Sequence, residues 1–323
     1  MRIVFAGTGD IGIPSLRFLL EKHELVGVLS QPDRPAGRRR ELKPPAIKEA
    51  LNRLSPSTPL LQPESPKDPG VLDWIRELAP EVMVTMAYGK ILPKAILEVP
   101  SLACLNIHAS LLPRHRGASP IQAAIASGDR ESGVSIMHMA VGLDTGDVIL
   151  EKRLRIRRRE TAGSLSERMA LLSPVALEEA MRLLASGNAP RHPQEESRAT
   201  VTGKILRADT VLDWSRPALE LEQRIRSLQP RPGALAVLTL ADSSAIPLKV
   251  HSAIVARQTS GRPGVIQRLD ARGILVACGE GGLLLGTVQP EGGAKMHSSA
   301  FARGHALRVA GHGTDRATDH AAS

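Results

Sequence analysis

Apolar residues gather in short continuous runs through the first half of the chain and in shorter, turn-punctuated runs beyond residue 200, so two textures share one sequence. Arg2 to Ala6, an amphipathic stretch from about Ile13 to Lys22, and Leu25 to Ser30 follow the strand, helix, strand order of a parallel α/β unit. Further runs at Val82 to Ala87, Leu102 to Ile107 and Val134 to Met139 are separated by helix candidates after Pro93 and Pro120, each proline suited to a first helical turn. A helix is expected over Leu165 to Ser186, opened by a capping box of Ser164 with Glu167, closed by Gly187 and kinked at Pro174.

After Gly187 the chain is polar, proline-containing and without periodicity, which predicts a connection over residues 188–205 between a domain at 1–187 and a second at 206–304. In the second domain one helix, Ala218 to Leu228, precedes β runs at Leu235 to Leu240, Pro247 to Val255, Gly264 to Gln267, Ile274 to Ala277 and Leu283 to Val288. Such short strands with turn residues between them predict a small antiparallel barrel. Residues 305–323, rich in Gly, His, Ala and Asp, read as a disordered tail.

Composition narrows the classes. A chain of 323 residues exceeds the usual size of one core, which supports two domains. Aromatic residues make up only 2%, so aliphatic side chains must fill the cores, and stacking bases on aromatic platforms is disfavoured. The net charge of +9 favours a polyanionic partner, although a basic protein need not have one. Cys104 and Cys278 are too few and too far apart to suggest a disulfide framework or a zinc site, and a reducing cytosol fits them. No run approaches the roughly 20 apolar residues of a membrane span, and no presequence pattern stands at the amino terminus, so a cytoplasmic protein without membrane contact is expected.

Three segments carry candidate chemistry. Gly7-Thr8-Gly9-Asp10-Ile11-Gly12 is a literal GxGxxG between a strand and a helix, but Ser30 and Gln31 stand where a ribose-binding acid belongs, so a tight packing turn is the better reading. The stretch from Gln31 to Lys43 carries Arg34, Arg38, Arg39, Arg40 and Lys43 against Asp33 and Glu41. It reads as an exposed, mobile loop, either a solvated charge run or an arm that meets phosphates. A second basic cluster, Lys152 to Arg159, suits a charged sheet edge.

The third segment is Asn106-Ile107-His108, with Asp144 following 36 residues after the histidine. A lone histidine is more often structural than catalytic, but Asn106 and His108 alternate along a strand and so share a face. The glycine-bearing loop Leu143 to Asp147 can bring Asp144 beside them, and a carboxylate next to an imidazole favours its protonated form. Asp147 competes for that role, but better suits a turn cap. An amide donor, an imidazole and a carboxylate together suit transfer of an acyl unit to an amine.

NIHASLLPRHRGASPIQ at residues 106–122, LDTGD at 143–147, AYGKILP at 87–93 and QPDRPAGR at 31–38 together resemble the methionyl-tRNA formyltransferases. The likeness continues through LDWS at 212–215 and PRPGA at 230–234 to QPEGGAKM at 289–296. The resemblance implies a Rossmann-like, mostly parallel sheet with helices on both faces and a smaller OB-like β-barrel domain. It also implies 10-formyltetrahydrofolate as formyl donor, initiator methionyl-tRNA as acceptor, no metal and a monomer.

On the same resemblance, Asn106, His108 and Asp144 are the catalytic trio, and Ser110, Leu111, Leu112, Pro113, Tyr88, Gly89, Ile91, Leu92 and Leu143 hold the folate. Arg34, Arg38, Arg39, Arg40 and Lys43 contact tRNA. The chain departs from the family's usual pattern at Gly9, Ala109, His115 and Gln229, none of which removes a catalytic group. Alternatives are a formyl-folate transferase acting on a small amine such as a sugar nucleotide or glycinamide ribonucleotide, a formyltetrahydrofolate hydrolase, and an inactive tRNA-binding module.

Overall fold

A computed structural model describes residues 1–37, 41–239, 245–257, 259, 261–305, 307 and 309. Arg38, Arg39 and Arg40, Leu240 at the end of one expected strand, and nearly all of the expected disordered tail lie outside these residues. The described chain divides into two compact units, one comprising residues 1–124 and 129–204, the other 125–128 and 205 onward.

The first unit is built on a seven-stranded sheet. In spatial order its strands are Val148–Arg155, Glu131–His138, Ala103–His108, Val82–Met86, Arg2–Gly7, Glu24–Leu29 and Leu60–Leu61. The last five run parallel, whereas Glu131–His138 and Val148–Arg155 add antiparallel edges. Ile3, Val4, Phe5 and Ala6 are fully buried, as the central strand of a sheet covered on both faces demands.

Alternation along that strand sorts the two layers. Val4 and Ala6 pack with Val71 and Ile75 of the helix Pro69–Leu78. Phe5 faces the other way, its ring lying beside Gly7 and Gly12, with Ile47 of the helix Ala46–Leu54 next to Gly12. The helix Ala162–Ala185 packs on that second layer against Ile13–Lys22 and the two antiparallel strands. Gly27 leaves room for Trp74, whose ring a Cβ there would strike.

Gly7 and Gly12 act as packing residues: a Cβ on Gly7 would fall 2.6 Å from the Phe5 ring. The amide of Gln31 meanwhile donates to the Tyr88 carbonyl at 2.8 Å, giving that position a structural use where a dinucleotide site would need an acid.

Several expected elements are corrected. The long helix starts at Ala162: Thr161 is extended, its hydroxyl accepts from Ser164 N, and the Ser164 hydroxyl accepts from Thr161 N, so the capping pair is Thr161 with Ser164. The basic segment, expected without regular structure, holds a short antiparallel ribbon, Arg34–Ala36 with Glu41–Lys43. The expected connection at 188–205 is bound into the first unit as far as Lys204. His192 exchanges both backbone hydrogen bonds with Val148, and Val201–Thr202 pairs with Arg116–Gly117.

The second unit carries two four-stranded antiparallel sheets. One orders as Ala234–Thr239, Ala245–Val250, Thr287–Pro290, Met296–His297, the other as Ala253–Ala256, Gly282–Leu285, Gly273–Ala277, Ile266–Asp270. The runs expected as single strands over Pro247 to Val255 and Leu283 to Val288 each break, at His251-Ser252 and at Gly286. There the two chains bend together, Gly286 N donating to Ser252 O and His251 N to Thr287 O. Leu221 and Ile225 of the helix Ala218–Ser227 and Phe301 of the helix Ser298–Gly304 close the core. Full burial of a Phe301-sized side chain is worth about 1.5–3 kcal/mol. Trp214 lies over Gly264 and donates its indole N–H to Val237 O at 3.0 Å.

Candidate active site

In an open α/β sheet a ligand crevice forms outside the carboxyl ends of the parallel strands, where the chain leaves a central strand in opposite directions. Arg2–Gly7 has Glu24–Leu29 on one side and Val82–Met86 on the other, so it marks that point here. A cavity of about 810 Å³ opens there. Its lining comes from Asp10 and Ile11, from Thr85 to Leu92, from Asn106 to Ala109, from Val141 to Asp144, and from Thr202 to Lys204.

The Asn106, His108 and Asp144 side chains converge in this cavity. Asn106 Nδ2 donates to Asp144 Oδ1 at 3.2 Å, and the other carboxylate oxygen lies 3.6 Å from His108 Nδ1. Asp144 Oδ2 also accepts from the backbone N–H of Gly117 at 2.7 Å. His108 is 6% exposed and Asp144 13%, so these contacts sit largely out of water, where charge interactions are strengthened.

Two partners fix how the trio presents its atoms. His108 Nε2 lies 2.9 Å from the His115 carbonyl, which can only accept, so Nε2 carries a proton and Nδ1 is the nitrogen left for the cavity and Asp144. The Thr85 hydroxyl donates to Asn106 Oδ1 at 2.9 Å, turning the amide nitrogen toward Asp144. One N–H of that amide reaches Asp144, leaving the other for a reacting oxygen.

Glycine is required twice around Asp144. Gly117 has φ +106°, and a Cβ there would run into the Thr202 carbonyl; at Gly146 it would run into the His138 carbonyl. Asp144 itself is left-handed at φ +52°, a conformation costing about 1–2 kcal/mol for a residue with a Cβ.

Of the residues expected to hold folate, Tyr88, Gly89, Ile91, Leu92 and Leu143 line the cavity, with Ile91 and Leu143 forming an exposed apolar rim. Burial pushes the Tyr88 phenol up to about 12, so it stays neutral, while its carbonyl accepts from Thr8 and Gln31. Ser110, Leu111, Leu112 and Pro113 do not line this cavity. They form a brace behind it, with Ser110 Oγ donating to Arg114 O, and Ser135 Oγ donating to Ser110 O while accepting from Leu112 N. The SLLP turn therefore sets the path of the chain from His108 to Gly117 instead of presenting side chains to the cavity.

Arg34 and Lys43 face each other across the basic ribbon, outside the cavity, with Arg34 Nη2 2.8 Å from Glu64. Asp147 stands apart from His108, accepting from His138 N through its carbonyl and lying 3.5 Å from Arg191.

Sequence reasoning missed Thr85, Gln194 and Lys204, each carried by a segment without a chemical motif, and missed Gly117, which lies within the 106–122 motif but acts through its backbone N–H. It also left His115 as an unexplained departure. That residue is left-handed at φ +59°, its ring pairs with Asp129 at 2.8 Å, and its carbonyl anchors His108.

The first 181 residues match the Formyl transferase family, and residues 204–306 match the Formyl transferase C-terminal domain. The chain belongs to the formyl transferase family. It is 41% identical over 306 residues to the methionyl-tRNA formyltransferase of Akkermansia muciniphila, covering 94% of this chain and 97% of that protein. Among solved structures, methionyl-tRNA formyltransferase from Clostridium thermocellum shares the fold with a TM-score of 0.55 at 20% identity, over 80% of this chain and 95% of that one. HypX from Aquifex aeolicus, solved in complex with tetrahydrofolic acid, matches with a TM-score of 0.60 at 16% identity over 94% of this chain; the chain spans only 47% of HypX.

Among the described residues no cluster of three or more histidine, cysteine, aspartate or glutamate side chains could hold a metal, and no helix is long and apolar enough to cross a membrane.

Proposed function

We propose that this formyl transferase moves the formyl group of 10-formyltetrahydrofolate to the α-amino group of methionine carried on initiator tRNA, working as a cytoplasmic monomer. The convergence of Asn106, His108 and Asp144 on one large cavity carries this reading. The relatives named methionyl-tRNA formyltransferase, similar along nearly the whole chain, support the acceptor.

The amine nitrogen attacks the formyl carbon and a tetrahedral intermediate forms. The free N–H of Asn106 meets the oxyanion, and protonated His108 supplies a second donor through Nδ1. One such donor is worth about 3–4 kcal/mol in a transition state. The amine loses a proton to the Asp144 carboxylate, which returns it to the folate nitrogen as the carbon–nitrogen bond breaks. No covalent intermediate on the protein is needed. Burial pushes the Cys104 thiol up to about 12, far from a nucleophile at neutral pH.

Tyr88, Gly89, Ile91, Leu92 and Leu143 hold the folate from the cavity wall, and the first unit, extending to Lys204, forms the folate-binding catalytic domain. The Ser110 to Pro113 turn supports the pocket from behind. The tRNA is met by the basic segment containing Arg34, Arg38, Arg39, Arg40 and Lys43, and by the smaller β domain. Phosphate neutralisation by such residues makes binding weaken with salt.

The deciding assay offers 10-formyltetrahydrofolate to the protein with charged initiator tRNA, free methionine, amino sugars on nucleotides and water as competing acceptors. Formyl transfer to the charged tRNA in preference to the rest is the expected result. Preferential formylation of a small amine, or release of formate, would refute it.

A further inference from the structure

Asp144 sits on a loop whose backbone is held by a residue 50 positions away in sequence. The Gln194 side-chain amide donates one hydrogen bond to Asp144 O at 2.8 Å and another to Gly146 O at 2.7 Å, using both of its N–H groups. Its oxygen accepts from Arg116 Nε at 3.0 Å. Arg116 is buried at 3% exposure, and its two remaining nitrogens pair in parallel with the Glu196 carboxylate at 2.9 Å each. Every polar atom of the Gln194 amide is therefore engaged, and its donors point at the two carbonyls that flank the turn carrying Asp144.

The same segment fastens the other wall. Thr200 O accepts from Arg116 N, Thr200 Oγ1 accepts from His115 N, and Thr202 O accepts from Ala118 N. It thus fixes both the Gly117 N–H that holds the Asp144 carboxylate and the His115 carbonyl that holds His108. The left-handed backbone of Asp144 is an unfavourable state that local sequence alone does not maintain. Satisfying both flanking carbonyls offsets that cost.

We propose that Gln194 is a positioning residue for formyl transfer: held by Arg116 and Glu196, it clamps the Asp144 turn so that the carboxylate stays in register with Asn106 and His108. The proposal rests on the trio reading given above. Gln194 touches no reacting atom and acts through Asp144. A displacement of about 1 Å in a reacting group costs roughly 100-fold in rate, so loss of the clamp should cost roughly 10- to 100-fold in kcat.

Gln194→Met keeps length and volume but removes both donors, and Gln194→Glu keeps the acceptor for Arg116 while turning a carboxylate on two carbonyls. Both should lose kcat by roughly 10- to 100-fold, with KM for the formyl donor moving less. Each substitution is then repeated with Asp144→Ala in single-turnover measurements. A residue acting through Asp144 should add under about 2-fold there, because side chains serving one function are not additive.

A general folding role would give the same fold loss in both backgrounds, and that result would overturn the proposal. A Gln194→Met enzyme with wild-type kcat would overturn it too, because filling the space would then suffice. If Gln194→Met does not fold, Glu196→Ala tests the same chain of contacts from a side chain that is 78% exposed. It should lower kcat about 3-fold in the wild type and leave Asp144→Ala unchanged; equal losses in both would count against the clamp. If wild-type protein formylates some other amine instead of charged tRNA, the acceptor reading fails while the cycle, run on that amine, still decides the clamp.

Discussion

Thr85→Val tests whether the orientation of the Asn106 amide matters to the chemistry. Valine matches threonine in shape, so the change removes a hydroxyl proton and little else. That proton has three acceptors within reach: Asn106 Oδ1 at 2.9 Å, Leu105 O at 3.1 Å and Met139 Sδ at 3.3 Å. Asp144 on the far side can only accept, which requires the amide nitrogen to face it and the amide oxygen to face Thr85.

Two interactions thus hold the amide, a neutral hydrogen bond of about 1 kcal/mol from Thr85 and a charge-assisted one of about 1.5–3 kcal/mol to Asp144. Thr85→Val removes the smaller. The amide keeps its working orientation through Asp144 but is held less firmly, and a loss of about 1 kcal/mol in the transition state is about a 5-fold fall in kcat. Asn106→Ala removes the donor itself and should cost about 10²–10³. Single-turnover formyl transfer to charged tRNA, measured beside thermal unfolding, separates the two; the Tm of Thr85→Val should fall by only about 2–4 °C. A Thr85→Val rate within 2-fold of wild type would refute the orienting role, as would a loss equal to that of Asn106→Ala.

Gly117→Ala should be more damaging than its size suggests, because the Cβ meets the Thr202 carbonyl at a positive φ. A loss of about 2 kcal/mol or more in stability is expected together with a kcat fall, since the Gly117 N–H holds Asp144; a wild-type denaturation midpoint would contradict it. Burial, reinforced by nearby Arg191 and opposed by Asp147, holds the His138 imidazole below its ordinary value of 6.5. The unfolded chain therefore binds a proton near pH 6.5 that the folded chain refuses, and stability falls as pH drops through 6.5 toward the lowered folded value. Urea midpoints at pH 7.5, 6.5 and 5.5 should show that slope reduced in His138→Asn; an unchanged slope would remove His138 from the account. Burial raises the Cys104 and Cys278 thiols to about 12 and about 11, so the native protein should resist alkylation at pH 8 until unfolded, and rapid native labelling would disprove the burial argument.

The sheet was legible because its strands are buried on both faces and so appear as uninterrupted apolar runs such as Ile3 to Ala6. The trio was legible because alternation along Ala103–His108 puts Asn106 and His108 on one side. What supports the trio was not. Gln194 and Thr200 act through side chains and carbonyls in a stretch with no periodicity, and nothing in their local sequence reveals contact with residues 115–118 and 144–146. The Thr161 cap was displaced to Ser164 because Ala162 and Gly163 give no apolar signal at the start of the helix. The breaks at Ser252 and Gly286, where the chain passes from one sheet to the other, were hidden because apolar residues resume within one or two positions on the far side of each.

The scarcity of aromatic residues leaves only two tryptophans, and the fold separates them. Trp74 packs at Gly27 in the first unit, and Trp214 covers Gly264 in the second. Each unit therefore carries one tryptophan, whose indole can be excited selectively. With either indole replaced by phenylalanine, the remaining emission would follow the melting of a single unit, so their cooperativity could be read without attaching a dye.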